Sequence, residues 1–589
     1  MVIQFLSLPL PQSSAAQISE PAYNVRAAYD VKVPMPDGVE LSCDIFGPAN
    51  PDSSAADSAR FPAILVRTPY SNRDERYVGA ARFYAARGYV VVIQDCRGRY
   101  DSEGEFYPEI HEGADGDATI TWCATQRWSN GNVGMLGGSY AGAVQWYTAP
   151  FANPHLKCIC PQVASSDSYF DGGSMRGGVV QMGDVEWSIL VSGRTDQDLS
   201  PPELERALWH LPIATADEAI GYRAAYWKDH FKHPTYDDYW QRTSNRNKYE
   251  RMAVPALGIS GWYSADDVNG AVTNFVEMQK RAKTGTAKTN QKLIIGPWPH
   301  GQTGKSRLGD FDFGHEAALS FRSLDDDSWL TTTVLRWFDY WLKGIENGVT
   351  KEPPLKIFVL NHRWREENEW PPARAVYQKY YLHSGGRANS LLGDGGLSAH
   401  APKNEKSDQF DYDPSHPVPT ASGDPEMDVD FPWDQRPIER RDDVLVYSTP
   451  VLENDVEVTG PVRMILYASS SAKDTDFTAR LCDVHPDGRV QPLTQGIVRA
   501  RYRSSFEKAE FLEPGKIYRF EIDLWVTSNL FQKGHRIRVD LSSSNFPFFS
   551  RNLNTGSDLG WETQAVIARQ VVYHDASHPS HLILPLMPK

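Results

Sequence analysis

The chain has 589 residues, enough for roughly two to four domains and a large core. Its formal net charge of −15 excludes broad nucleic-acid binding, which needs a basic footprint, and docking on anionic lipid. Hydrophobic residues make up 41% and charged residues 23%, as in a soluble globular protein, and 17 Trp suit an apolar pocket better than a disordered scaffold.

No stretch reaches the ~18 consecutive apolar residues of a membrane-spanning helix. The opening MVIQFLSLPLPQSSAAQ is apolar and then small-residue rich, but it lacks a basic start and is interrupted by prolines. Residues 1–24 are therefore expected to be a leader or a disordered start. The compartment stays open between cytoplasmic and periplasmic or secreted. Six cysteines without a CxxC pair point to neither a disulfide framework nor a structural zinc site.

In chain order, PAILVRTPY (62–70) reads as a buried strand and RYVGAARFYAARG (76–88) as a helix ending in Gly. YVVVIQD (89–95) is a β-branched run typical of a strand covered on both faces. EGADGDATITWCATQ (112–126) reads as a helix, NVGMLGGSYAG (132–142) as strand, turn and helix, and CICPQVA (158–164) as a strand. This order predicts a parallel sheet covered by helices over 25–165. Residues 166–250, rich in Trp, Tyr, His and Asp, read as a helical cap inserted over the sheet. The alternation returns over 251–350 with VPALGIS (254–260), a helix from about 266 to 282, KLIIGPW (292–298) and the amphipathic TTTVLRWFDYWLKG (331–344). From 351 to 589, short alternating runs such as LKIFVL, GPVRMILYAS, TDFTARLCDV and HRIRVDLSSS predict an all-β sandwich or jelly roll.

The sharpest local feature is Gly137-Gly138-Ser139-Tyr140-Ala141-Gly142, which follows an apolar strand and opens a helix. That is the setting of a nucleophile elbow, although the strict G-x-S-x-G spelling would need Gly at 141; the plainer reading is a Gly-rich packing turn. A serine nucleophile needs a base. His300, in Gly296-Pro297-Trp298-Pro299-His300-Gly301 directly after a buried strand, is the candidate. The acid should follow VPALGIS, where Gly261-Trp262-Tyr263-Ser264-Ala265-Asp266-Asp267 offers two carboxylates. Asp266 is the candidate to orient His300, and both acids are equally explained as helix N-terminal residues set against the dipole. Tyr70 ends a strand where a hydrolase draws a second oxyanion donor, the first being the Tyr140 backbone N–H; on its own it reads as a core tyrosine. His111-Glu112 lacks the second His of a zincin. Asp474-Thr475-Asp476 lacks a calcium-loop pattern and reads as a turn.

Taken together, Thr68-Pro69-Tyr70, Gln94-Asp95-Cys96-Arg97-Gly98-Arg99, the Ser139 hexapeptide, Gly261-Trp262-Tyr263, Gly296-Pro297-Trp298-Pro299-His300, Asp474-Thr475-Asp476-Phe477 and Gly534-His535-Arg536-Ile537-Arg538 resemble the serine hydrolases grouped with cocaine esterase, the α-amino-acid ester hydrolases, the glutaryl-cephalosporin acylases and the Xaa-Pro dipeptidyl peptidases. The likeness runs from about residue 25 to 585. It implies an α/β-hydrolase domain with an inserted helical cap and a C-terminal jelly-roll domain. It implies Ser139 as nucleophile, His300 as base, and an oxyanion hole from Tyr140 and the Tyr70 hydroxyl.

One position departs. The family's acid directly follows the Gly-Trp-Tyr-like triplet, and here that residue is Ser264. A serine cannot carry the charge that stabilises an imidazolium. Either Asp266 reaches His300 through a shifted loop, or Ser264 holds only the tautomer, or the chain is a degenerate member; the first is the working expectation. The resemblance also puts Asp266 and Asp267 where α-amino-acid ester hydrolases bind the substrate ammonium. Asp267, Trp262 and Ser264 are accordingly expected on the substrate side.

The expected activity is hydrolysis of a small ester or amide through an acyl-enzyme, α-amino-acyl substrates included, without metal or organic cofactor. A Xaa-Pro dipeptidyl peptidase is the rival enzyme. A catalytically impaired member that binds a ligand is the rival from another class. The expected partner is a small-molecule substrate, with no nucleic acid and no membrane span, and a homo-oligomer is left open.

Overall fold

The computed structural model describes residues 18–50, 59–264, 267–318, 329–421 and 432–588. The expected leader therefore lies largely outside the described residues. Its last part does not behave as a loose start: Ser19 N donates to Asp339 Oδ2 at 2.7 Å and Ala22 N to Ala86 O at 2.8 Å.

The N-terminal domain is built on ten strands: β1 (Asn24–Pro34), β2 (Glu40–Ala49), β3 (Phe61–Thr68), β4 (Val90–Asp95), β5 (Ser129–Gly138), β6 (Leu156–Gln162), β7 (Ala256–Tyr263), β8 (Gln291–Pro299), β9 (Leu355–Phe358) and β10 (Trp364–Glu367). They lie in the order β1-β2-β4-β3-β5-β6-β7-β8-β9-β10. The centre is parallel as expected, from β4 to β9. Both edges are antiparallel, which the expectation of a parallel sheet did not include.

Successive strand residues enter opposite layers, as period-two side chains must. Ala63, Leu65, Val90 and Val92 pack with Ile120 and Cys123 of α2 (Glu112–Thr125) and Val144 of α3 (Tyr140–Thr148). Ile64, Val66, Val91 and Ile93 pack on the other face with Trp337, Phe338 and Leu342 of the helix Trp329–Lys343. This double cover explains why β4 carries no polar alternation.

Between β6 and β7, which are neighbours in the sheet, the chain leaves to form a layer of helices, among them Gly183–Leu190, Pro201–Trp209 and Ala225–Lys232. These share a core of Tyr169, Met182, Ile189, Trp227 and Trp240. The chain is thus an α/β-hydrolase domain with an inserted helical cap, followed by a jelly-roll domain whose strands run from Val376 to Leu586. LKIFVL, expected in the β domain, instead begins as β9 beside β8, because the register Leu293–Ile295 against Leu355–Ile357 completes the parallel sheet. Trp262, Val268, Leu293 and Ile295 share one apolar core with Leu466, Phe520 and Leu541, so the two domains are packed into one body.

The turn after β5 depends on missing side chains. A Cβ on Gly137, at φ +153°, would stand 2.6 Å from the Ala141 Cβ, and one on Gly142 would stand 2.6 Å from the Gln162 carbonyl oxygen. Helix α3 can therefore lie close on β6 with Ala at 141, provided 137 and 142 stay Gly. The Gly142→Ala variant is expected to lose about 1–3 kcal/mol of stability, read as a lower midpoint in a denaturant melt; an unchanged midpoint would contradict the close approach.

Candidate functional site

Ser139 sits between β5 and α3 with φ 57° and ψ −128°, a strained conformation held by its own N–H, which donates to Gln162 O at 3.0 Å. The strain lifts the hydroxyl out of the sheet edge. His300 follows β8 directly, and its Nε2 lies 3.0 Å from Ser139 Oγ. Its Nδ1 lies 2.9 Å from Asp267 Oδ2. Three groups from three separate strand ends thus form one hydrogen-bonded line.

The carboxylate beside His300 is Asp267, where Asp266 was expected. Asp266 lies outside the described residues. The physical reason is a single helical turn: Asp267 N and Val268 N both donate to Ser264 O, at 3.1 and 3.0 Å. Residue 267 is therefore carried onto the face of residue 264, three positions back. Ser264 Oγ donates to Asp267 Oδ2 at 2.6 Å and Ser260 Oγ to Oδ1 at 2.8 Å. A buried carboxylate needs such donors to stay charged.

This network bears on the residues expected on the substrate side. Asp267 is 2% exposed with both oxygens engaged, and Ser264 is wholly buried beneath it. Trp262 lies in the core between the domains, its Nε1 donating to Phe358 O at 2.6 Å and its ring 5.8 Å from that of Trp370. Asp267 also lines the cleft over Ser139.

Tyr70 stands two residues beyond the end of β3 and lines the same cleft as Ser139. Its hydroxyl accepts from Trp187 Nε1 at 2.9 Å. Burial pushes the phenol up to about 12, against smaller lowering contributions from the Trp187 and Ser139 hydrogen bonds. It therefore remains a proton donor throughout the neutral range. Arg99, fully buried, fixes this segment: its Nε donates to Pro69 O at 2.8 Å and its Nη1 to Val191 O at 3.2 Å in the cap. Tyr140 opens α3, and its backbone N–H is one of those a helix start leaves without an intrahelical acceptor. Its ring stacks on Trp187 at 5.7 Å.

Trp187 had no signal in the sequence, since it stands in a segment read only as an aromatic-rich cap. The cleft over Ser139 has a volume of about 390 Å³, the size of a small-ligand site. Met182, Trp187, Leu204 and Tyr226 from the cap and Phe548 from the β domain close it. Glu109 and Asp184 add acidic character to the wall, and burial raises the Glu109 carboxyl above its ordinary range. Asp474 and Asp476, dismissed as a calcium loop, are paired with Arg501 and Arg499; Asp474 lies in the bend before the β-domain strand Asp476–Val484, which Asp476 opens.

Against known proteins, residues 37–302 match the model of the X-Pro dipeptidyl-peptidase (S15 family), and residues 347–583 match the X-Pro dipeptidyl-peptidase C-terminal non-catalytic domain. Cocaine esterase of Rhodococcus sp. (strain MB1 Bresler) is 36% identical over 96% of this chain and 99% of its own. The chain belongs to this S15 and cocaine-esterase family. It is a serine hydrolase. A solved α-amino-acid ester hydrolase superposes with a TM-score of 0.82 at 25% identity, over 98% of this chain and 100% of that one. An aminopeptidase of a marine-sediment Thaumarchaeota archaeon shares the fold, with a TM-score of 0.82 at 24% identity over 99% of both chains.

The Tyr70→Phe variant is expected to lower kcat by about 10²–10³-fold, the usual loss for one oxyanion donor, with little change in melting midpoint. Because the phenol is raised to about 12, the wild-type pH–rate profile should show no alkaline fall from Tyr70 ionisation near pH 10; a fall there that vanishes in Tyr70→Phe would contradict the assignment.

Proposed function

We propose that the chain hydrolyses a small carboxylic ester through an acyl-enzyme, with Ser139 as nucleophile, His300 as base and Asp267 as the acid that orients it. The observation that carries this reading is the unbroken line Ser139–His300–Asp267 opening onto a cleft. In it His300 Nε2 takes the hydroxyl proton as Oγ attacks the carbonyl, and the Asp267 charge stabilises the imidazolium that forms. The Tyr70 hydroxyl and the Tyr140 N–H receive the developing oxyanion. His300 then returns its proton to the leaving oxygen, and a water activated by the same nitrogen releases the acid.

The similarity to cocaine esterase favours an ester. Tyr140, Trp187, Tyr226 and Phe548 favour an aromatic or bulky apolar acyl or leaving group. With Asp267 read as the acid, Ser264 lends no support to a ligand-binding protein on a disabled scaffold. The dipeptidyl-peptidase reading keeps one favourable observation, the carboxylates of Glu109 and Asp184 on the cleft wall, which could meet a free N-terminus.

Initial-rate assays on aryl esters of acetate and benzoate, and on Xaa-Pro nitroanilides, separate these readings. Turnover of the esters, faster for benzoate, with loss of all activity in Ser139→Ala, is the expected outcome. Preferred cleavage of the nitroanilides would transfer the assignment to the peptidase, and turnover retained by Ser139→Ala would remove Ser139 from the mechanism.

A further inference from the structure

Outside the active site, the described residues bring two imidazoles and a carboxylate together in the β domain. Asp483, His485 and His535 each offer a ligand atom, all within 4.8 Å of one another. Asp483 is the penultimate residue of the strand Asp476–Val484, His485 opens the turn after it, and His535 precedes the strand Arg536–Ser542. The two strands pair, with Asp483 opposite Ile537, so the register sets the three side chains side by side. The imidazole centroids are 4.6 Å apart.

The surrounding hydrogen bonds orient these groups as ligands. Asp483 is fully buried, and its Oδ2 accepts from Asn361 Nδ2 at 3.1 Å and Asn529 Nδ2 at 3.2 Å. Its Oδ1 faces His535 Nδ1 at 2.8 Å. Gln491 Nε2 donates to the Tyr263 hydroxyl at 2.9 Å, and its Oε1 accepts from Asn361 Nδ2 at 3.1 Å. That leaves His485 Nε2 as the donor to Gln491 Oε1, at 3.0 Å, and the lone pair of the His485 ring on Nδ1. A ring N–H held by a side-chain carbonyl, with the other nitrogen available, is the usual second contact of a metal-bound histidine. His485 is partly exposed, which gives an ion a way in, while Asp483 and His535 are buried.

We propose that Asp483, His485 and His535 form a site for one divalent transition-metal ion of the zinc type. Two imidazoles and one carboxylate suit zinc, cobalt or nickel rather than calcium or magnesium. Bond lengths of about 2.0–2.2 Å require the ligand atoms to settle about 3.4 Å apart, so the ion would replace the 2.8 Å contact between Asp483 Oδ1 and His535 Nδ1 and draw the wider-spaced atoms together by side-chain adjustment. Three protein ligands leave a fourth position for water. The ion takes no part in acyl transfer. Through Gln491 it would hold Tyr263, the residue before Ser264, and so brace the contact between the β domain and the strand that leads to Asp267.

The test uses the full chain, freed of metal by chelator and titrated with Co²⁺, with binding followed by calorimetry and visible absorption and the melting midpoint measured alongside. The proposal expects one saturable equivalent, a tetrahedral-type cobalt spectrum, displacement by Zn²⁺ and a raised midpoint. His485→Gln should weaken binding at least about tenfold, and Asp483→Asn should do the same should the first variant fold poorly. His300→Gln should bind as the wild type does. Absence of saturable binding, wild-type affinity in both His485→Gln and Asp483→Asn, or loss of binding in His300→Gln would overturn it.

Discussion

The contact between the Asp267 carboxylate and His300 Nδ1 is the constraint on which the site depends. A charge with 2% exposure is expensive unless its oxygens are met by donors. Here Ser260 and Ser264 meet it on one side and the imidazole on the other. With one ring nitrogen so held, the other is left to face Ser139 Oγ. The position usual for the family's acid is occupied by Ser264, which becomes a donor to the carboxylate placed one helical turn further on. On the proposed reading, the acid stands three positions further along the chain than the resemblance implies, and it still reaches His300 Nδ1.

That displacement shows what a sequence can and cannot disclose. Ser139 and His300 were legible because their setting is local: an apolar strand, a small-residue turn and a helix in one case, and a buried strand ending in Pro and Gly in the other. The choice between Asp266 and Asp267 was not, because it rests on whether Ser264 O is bridged by the next turn, and both acids look alike at a helix start. Trp187 was invisible for a different reason. Its contact with Tyr70 spans 117 positions and joins the cap to a strand end. The antiparallel edge strands were missed too, and β9 was read into the wrong domain, since alternation alone does not say which sheet a strand will join.

The two domains are coupled at the same place. The strand that delivers Asp267 ends in Trp262 and Tyr263, both gripped from outside the cleft. Trp262 donates to Phe358 O, and Tyr263 accepts from Gln491 of the β domain. Both residues thus brace the loop that carries Asp267. The cleft wall is supplied largely by the cap and by the β-domain loop bearing Phe548, so on the proposed reading variation in those segments would change the acyl preference without disturbing the relay.

The central claim, that Asp267 orients His300, is tested most directly by the rate at which a fluorophosphonate modifies Ser139, followed by intact mass. The account predicts single labelling at Ser139 in the wild type, and a rate near wild type in Asp266→Asn. In Asp267→Asn it predicts a rate lower by orders of magnitude, up to about 10⁴-fold, as when a triad acid loses its charge. A large loss in Asp266→Asn with Asp267→Asn unaffected would contradict it.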